Sequence, residues 1–284
     1  MPGRLEGQVA IITGGTSGIG KRTAEIFAQE GASVVIAARR EEEGQNIANA
    51  LGEKVAFIKT DVAKEHDIQN MIQFAVDKFG RLDCLFNNAG GPAPLGGIED
   101  IPLEGYEAAI SVLLGGVLLG MKHAAPVMKA QKSGSIINNG SIAGILSGYS
   151  SSIIYSTAKA AVIHLTKIVG MELGEHNIRV NCISPGGIPT GIFGKAAGLP
   201  DNEADETSEK MAELMGNNKN TPIPRAGMTD DIAYAAVFLA SAEGSFINSH
   251  NLVVDGGVMG GRPWTAQQEG RARLHNTLVE HAKS

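Results

Sequence analysis

Val9-Ala10-Ile11-Ile12-Thr13-Gly14-Gly15-Thr16-Ser17-Gly18-Ile19-Gly20 is the stretch that decides the fold. Its first five residues form an unbroken apolar run without alternation, the pattern of a strand covered on both faces. A glycine-rich turn follows directly. Helical spacing then runs over residues 19–30 and stops at Gly31, and Ser33-Val34-Val35-Ile36-Ala37-Ala38 reads as a second buried strand. The unit is strand, glycine turn, helix, strand. Glycines in such a turn let the backbone approach a pyrophosphate at the positive end of a helix. The motif lies between a strand and a helix, so it predicts a dinucleotide site.

The same alternation continues outward. Strands are expected at residues 55–59, 82–86, 135–138, 179–183 and 251–255, which with the first two makes seven. Helices are expected at 41–51, 65–79, 105–131 (broken near Pro126), 155–174 and 230–239, the last opened by Thr229 as N-cap. Residues 188–228 read as an irregular excursion with one helical piece near 206–215. Strands alternating with helices predict an α/β, doubly wound, seven-stranded parallel sheet with helices on both faces. Ligands in such folds bind at the carboxyl ends of the strands. Gly14 to Gly20, Arg39 and Arg40, Asp61, Asn87 to Gly90, Ser141 and Pro185 to Gly187 all follow strands. No linker or repeat divides the chain, so one domain is expected over residues 1–260, with 188–228 as its substrate loop. Residues 261–284 form an extension, read either as a loose tail or as an amphipathic terminal helix.

Composition narrows the function. The chain has 284 residues, 43% of them hydrophobic, 37 glycines and a net charge of −6. The acidic balance and the lack of a long basic run argue against nucleic acid as a partner. No apolar run reaches the roughly 18 residues of a membrane span, so no membrane role is expected. The polar start, residues 1–8, leads us to expect no secretory leader. Cys84 and Cys182 are the only cysteines, both in apolar strand-like runs. They fit reduced, buried thiols in a cytoplasmic protein and offer no metal-ligand spacing. Histidines at 123, 164 and 176 have unrelated spacings and suggest no metal set.

Tyr155-Ser156-Thr157-Ala158-Lys159 opens the 155–174 helix. A tyrosine and a lysine four apart share one helix face. An ammonium beside a phenol favours the phenolate, lowering a pKa that starts near ~10 toward a range usable for acid–base catalysis.

With these motifs in order, the sequence resembles the short-chain dehydrogenase/reductase family over nearly its whole length. The carriers are Thr13-Gly14-x-x-x-Gly18-x-Gly20, Asn87-Asn88-Ala89-Gly90, Ser141 standing 14 residues before Tyr155, Tyr155-x-x-x-Lys159 and Pro185-Gly186-x-x-x-Thr190. The resemblance implies a Rossmann-like fold and an NAD(P)-dependent oxidoreductase. Tyr155 would give a proton to a carbonyl oxygen or take it from an alcohol. Lys159 would tune Tyr155 and hold the nicotinamide ribose, and Ser141 would hold the substrate oxygen. The cofactor would meet Gly14, Thr16, Ser17, Gly18, Ile19 and Gly20 at the turn, and Asp61 and Val62 at the adenine. Asn88, Ala89 and Gly90 would line the ribose side. Pro185, Gly186, Ile188 and Thr190 would flank the carboxamide. The nearest likeness is to members acting on secondary alcohols of cyclic, often bulky molecules, plant lignan and terpenoid dehydrogenases among them. Family members also pair through their long helices, which implies a homo-oligomer, most readily a tetramer.

Two features refine this reading. The family usually carries a relay asparagine in the long fourth helix, and here that position falls on Leu113. Either the relay is shorter, or Ser111 substitutes, or the protein turns over slowly or serves as a cofactor-binding sensor. An alternative substrate class is a 3-oxoacyl carrier, against which stand the acids between Asp201 and Glu213. At the end of the second strand an NAD-selective site would place an acid. Ala38 stands there, followed by Arg39 and Arg40, which predicts NADP(H) in preference to NAD(H).

Overall fold

The chain was described as a computed structural model covering residues 3–216 and 221–283. Each apolar run becomes a strand: β1 (Val9–Thr13), β2 (Ser33–Ala38), β3 (Val55–Lys59), β4 (Cys84–Asn87), β5 (Gly134–Asn139), β6 (Ile178–Pro185) and β7 (Asn251–Val254). All pair in parallel, in the order β3-β2-β1-β4-β5-β6-β7. The order reverses between β1 and β4, so a crevice opens at their carboxyl ends.

The helices between strands are α1 (Gly18–Gln29), α2 (Glu41–Leu51), α3 (Glu65–Phe79), α4 (Leu103–Ile110), α5 (Gly116–Gln131) and α6 (Ile153–Gly174). They are followed by α7 (Ile192–Ala196), α8 (Asp201–Glu206), α9 (Ser208–Gly216), α10 (Thr229–Ala240) and α11 (Trp264–Lys283). One face of the sheet packs Ile26 and Phe27 of α1 with Ile232 and Val237 of α10. The other packs Met71 of α3, Met121 of α5 and Val162 of α6. Burying a side chain of this kind contributes roughly 1.5–3 kcal/mol, so the two layers outweigh the cost of fixing the strands. The doubly wound α/β expectation therefore holds, as a single domain with helices on both faces.

Several local expectations are corrected. The long helix does not break at Pro126, which sits exposed inside α5. On a solvent-facing side the carbonyl freed by proline is left to water. The irregularity is instead a π-helical turn at Ser111–Gly115, between α4 and α5. Gly116 follows it, where a Cβ would press on Val62 Cβ at 2.9 Å. The excursion at 188–228 contains three short helices, α7 to α9, rather than one; its residues 217–220 lie outside the described residues. Thr229 is the first residue of α10, not its cap, and the Asp231 carboxylate accepts from Met228 N–H at 2.7 Å. By length and composition Leu103–Gln131 could cross a membrane, which a search for uninterrupted apolar runs passes over. In this fold it lays Val117, Met121, Ala124 and Met128 on the sheet. The extension is a helix, α11, whose Trp264, Leu274 and Leu278 are exposed.

Candidate active site

The crevice is a cleft of about 680 Å3. Its floor is a hydrogen-bonded junction between the ends of β1 and β4. Thr13 Oγ1 accepts from the N–H groups of Asn88 and Ala89, both at 2.9 Å. Asn88 Nδ2 donates to Thr13 O at 2.9 Å, and Asn139 Nδ2 donates to Asn88 Oδ1 at 2.9 Å. These bonds fix the separation of strands on either side of the switch point. Two turn positions admit only glycine. Gly14 has φ +66°, and a Cβ there would sit 2.9 Å from Ala89 Cα. At Gly20 a Cβ would collide with the Gly14 carbonyl oxygen and Asn88 Nδ2.

The turn delivers the chain to the start of α1 at the cleft. Ser17, the N-cap, makes no side-chain cap bond, and no acid occupies the first turn. The uncapped N–H groups and the positive helix end suit an anion. In the cleft wall Asn139 Oδ1 is buried and unpartnered among the described residues, a polar atom a ligand can satisfy. Glycine cradle, uncapped helix end and free acceptor together fit a dinucleotide.

Gly14, Thr16, Ser17, Gly18, Ile19, Arg39, Arg40, Asp61 and Val62 all line the cleft, as do Asn88, Ala89, Gly90, Tyr155, Lys159 and Thr190. Gly20, Ser141, Pro185, Gly186 and Ile188 do not. Gly20 packs behind the turn. Pro185 ends β6, paired with Val254, and Gly186 N–H donates to Val254 O at 2.9 Å. Ile188 turns its side chain into the core, which leaves only its backbone for a ligand.

The reactive groups come from β5, the loop after it and α6. Ser152 caps α6: its hydroxyl accepts from Tyr155 N–H at 3.2 Å and donates to Pro94 O at 2.7 Å. That pair ties α6 to the cleft rim. Ser141 caps the single turn Ile142–Gly144, its hydroxyl accepting from Ala143 N–H at 3.1 Å, and it also hydrogen-bonds the Tyr155 phenol. Lys159 is buried, and its Nζ donates to the Asn139 carbonyl at 2.6 Å. Burial pulls the ammonium down to about 8, a fall only partly opposed by Cys182. Nζ stands 5.6 Å from the centre of the Tyr155 ring.

Here one expectation changes. Tyr155 is held above its ordinary value, because burial raises it and the Ser141 hydrogen bond only partly offsets that. Lys159, anchored on the Asn139 carbonyl, does not bring the phenol below its ordinary value in this structure. Leu113 is buried in a cluster with Ala158, Ile154 and Tyr155, so the relay position is apolar. Ser111 is no substitute in this arrangement, since its exposed hydroxyl donates to Glu107 O at 2.7 Å.

Asn139 and Ser152 belong to the site but were not singled out in the sequence; the signal available for Asn139 was the pair of asparagines that ends the Ile136-Ile137 run.

Fold and cleft together suit a dinucleotide, with a tyrosine and a lysine in the cleft wall. The comparisons agree. A family model described as enoyl-(acyl carrier protein) reductase matches residues 14–259. The chain is 42% identical over 257 residues to tropinone reductase-like 1 of Erythroxylum coca, covering 89% of this chain and 91% of that one. It is 41% identical to (+)-borneol dehydrogenase 2 of Salvia officinalis, over 90% of this chain and 91% of the relative. Secoisolariciresinol dehydrogenase of Forsythia intermedia is also 41% identical, over 89% and 90%. The chain belongs to the short-chain dehydrogenase/reductase family, and its activity is nicotinamide-dependent oxidoreduction of a small molecule.

Proposed function

We propose that the protein interconverts a secondary alcohol on a cyclic, bulky molecule and its ketone, with Tyr155 as acid–base and NADP(H) in preference to NAD(H). The observation that carries this reading is that Tyr155 and Lys159 line the same cleft as the glycine-turn cradle, with Ser141 behind them against the Tyr155 phenol. The nicotinamide cofactor, when bound, supplies or accepts the hydride. In reduction Tyr155 gives its hydroxyl proton to the oxygen that gains charge, and Ser141 donates a hydrogen bond to the same oxygen. In oxidation the tyrosine takes the proton back. Lys159, fixed on the Asn139 carbonyl, orients the ribose side and keeps a positive charge near the phenolate.

The alcohol end of the cleft is apolar, with Pro92, Ala93, Leu95, Val112, Leu113 and Ile192 in its walls. This surface, and the relatives named for borneol and secoisolariciresinol, support a ring-bearing substrate. Exposed acids on the substrate segment, Glu203 and Glu206, would repel an acidic carrier protein and disfavour a carrier-bound acyl chain. A panel of cyclic and aryl secondary alcohols and ketones, camphor and borneol included, followed by cofactor absorbance, tests the class. Turnover confined to simple acyl thioesters would overturn it.

Cofactor preference follows from the end of β2. Ala38 offers no carboxylate, and Arg39 is exposed at the cleft rim, with no ion pair or hydrogen bond of its own among the described residues. Of the two arginines it is the one placed for a 2′-phosphate. We also propose a cytoplasmic location, a reading supported by Cys84 and Cys182 being buried free thiols.

Leu103, Leu118, Ile153, Ile168 and Met171 expose large apolar side chains on α4, α5 and α6. Such a face calls for a partner, and a second copy is the simplest. We expect light scattering at micromolar concentration to give a homotetramer, four times the 29.6 kDa chain. A monomer would remove the claim.

A further inference from the structure

Arg40 does not face the cleft as a free cation. Its Nη1 meets Asp205 Oδ2 at 2.8 Å, and its Nη2 donates to the carbonyl of Thr16 at 3.2 Å. Its side chain is only 18% exposed. Thr16 belongs to the glycine turn and Asp205 to α8, which stands 165 residues further on. The substrate segment around α8 is itself a unit. Gly194 of α7 lies so close to α8 that a Cβ would come within 2.7 Å of Ala204 Cα, and Lys195 bridges to Asp201 at 3.1 Å. Asp205 also packs over the backbone of Gly191, next to Thr190, whose methyl lies against Gly18. Burial raises Asp201, but the Lys195 bond and the fields of Lys195, Arg40 and Arg39 carry it below the usual carboxylate range. One guanidinium therefore joins the cofactor turn to the helical pair whose Ile192, Lys195 and Gly198 wall the cleft.

We propose that Arg40 and Asp205 form a clasp, and that Arg40 is a positioning residue that holds the substrate segment closed on the cofactor turn. A guanidinium suits the task because its planar fork can serve a carboxylate and a carbonyl at once. The clasp's consequence for catalysis rests on the cleft being the hydride-transfer site, but the clasp itself is a property of the free protein and is tested without turnover.

Hydrogen exchange on the full chain decides it. The reporters are the amides of Lys195, Ala197 and Ala204, bonded to Gly191 O, Phe193 O and Pro200 O. In Arg40→Ala and in Asp205→Asn these should exchange about tenfold faster than in wild type, while the amides of β1 and β4 keep their protection. The exchanged pair, Arg40→Asp with Asp205→Arg, should restore slow exchange, which a loss of general stability would not. Unchanged exchange at the three amides in both single variants would overturn the clasp. Faster exchange spread equally over the core strands, or an exchanged pair no slower than the single variants, would do the same. If Arg40→Ala fails to fold, Asp205→Asn carries the test alone.

Discussion

Tyr155→Phe should lose turnover by about 10²–10⁴-fold while folding and binding cofactor much as the wild type does. The ring is kept, so the half-buried space beside Leu113, Ile154 and Ala158 stays filled. Only the hydroxyl goes, and with it the proton for the substrate oxygen and the hydrogen bond with Ser141. The cofactor cradle is built elsewhere, from the glycine turn and the Thr13–Asn88–Asn139 junction. Cofactor affinity from fluorescence titration should therefore move little. Retention of more than a tenth of wild-type kcat would mean that another group moves the proton.

The second large effect lies in cofactor choice. Wild type should show a higher kcat/KM with NADP(H), and Arg39→Ala should lose roughly ten- to hundredfold of that preference, the range expected for one charge-assisted hydrogen bond to a phosphate oxygen. Arg40 has already given its guanidinium to Asp205 and Thr16, and Glu43 lies 4.0 Å from it rather than from Arg39. Among the described residues the acids that open α2 pair elsewhere, Glu41 with Lys59 and Glu43 near Arg40. A wild-type preference for NAD(H), or unaltered selectivity in Arg39→Ala, would contradict the assignment.

Most of the fold is legible in the sequence because a parallel sheet is covered on both faces. Its strands then appear as apolar runs such as Val34–Ala37, and the special residues cluster just after them. What escapes is whatever depends on contact between distant segments. The π-turn at Ser111–Gly115 sits where Gly116 meets Val62, and nothing in the spacing of residues 103–131 marks it. Of the three helices in the excursion only α9 announces itself, as the helical piece near 206–215; α7 and α8 are too short for a periodicity to declare itself. The raised phenol of Tyr155 comes from burial, and the lysine expected to lower it is anchored on a carbonyl instead. Arg40 reads in the sequence as a cofactor ligand and Asp205 as one of the acids between Asp201 and Glu213, and only the fold brings them together.

The central claim is that this cleft moves a hydride between nicotinamide and a carbinol carbon, with Tyr155 handling the proton. The direct test is a single-turnover reaction of a cyclic ketone from the panel with NADPH deuterated at the transferring position, read by mass spectrometry of the alcohol. The account predicts one deuterium on the carbinol carbon with wild type, and almost none in the same interval with Tyr155→Phe. Equal incorporation by the two proteins, or alcohol formed without deuterium, would contradict it.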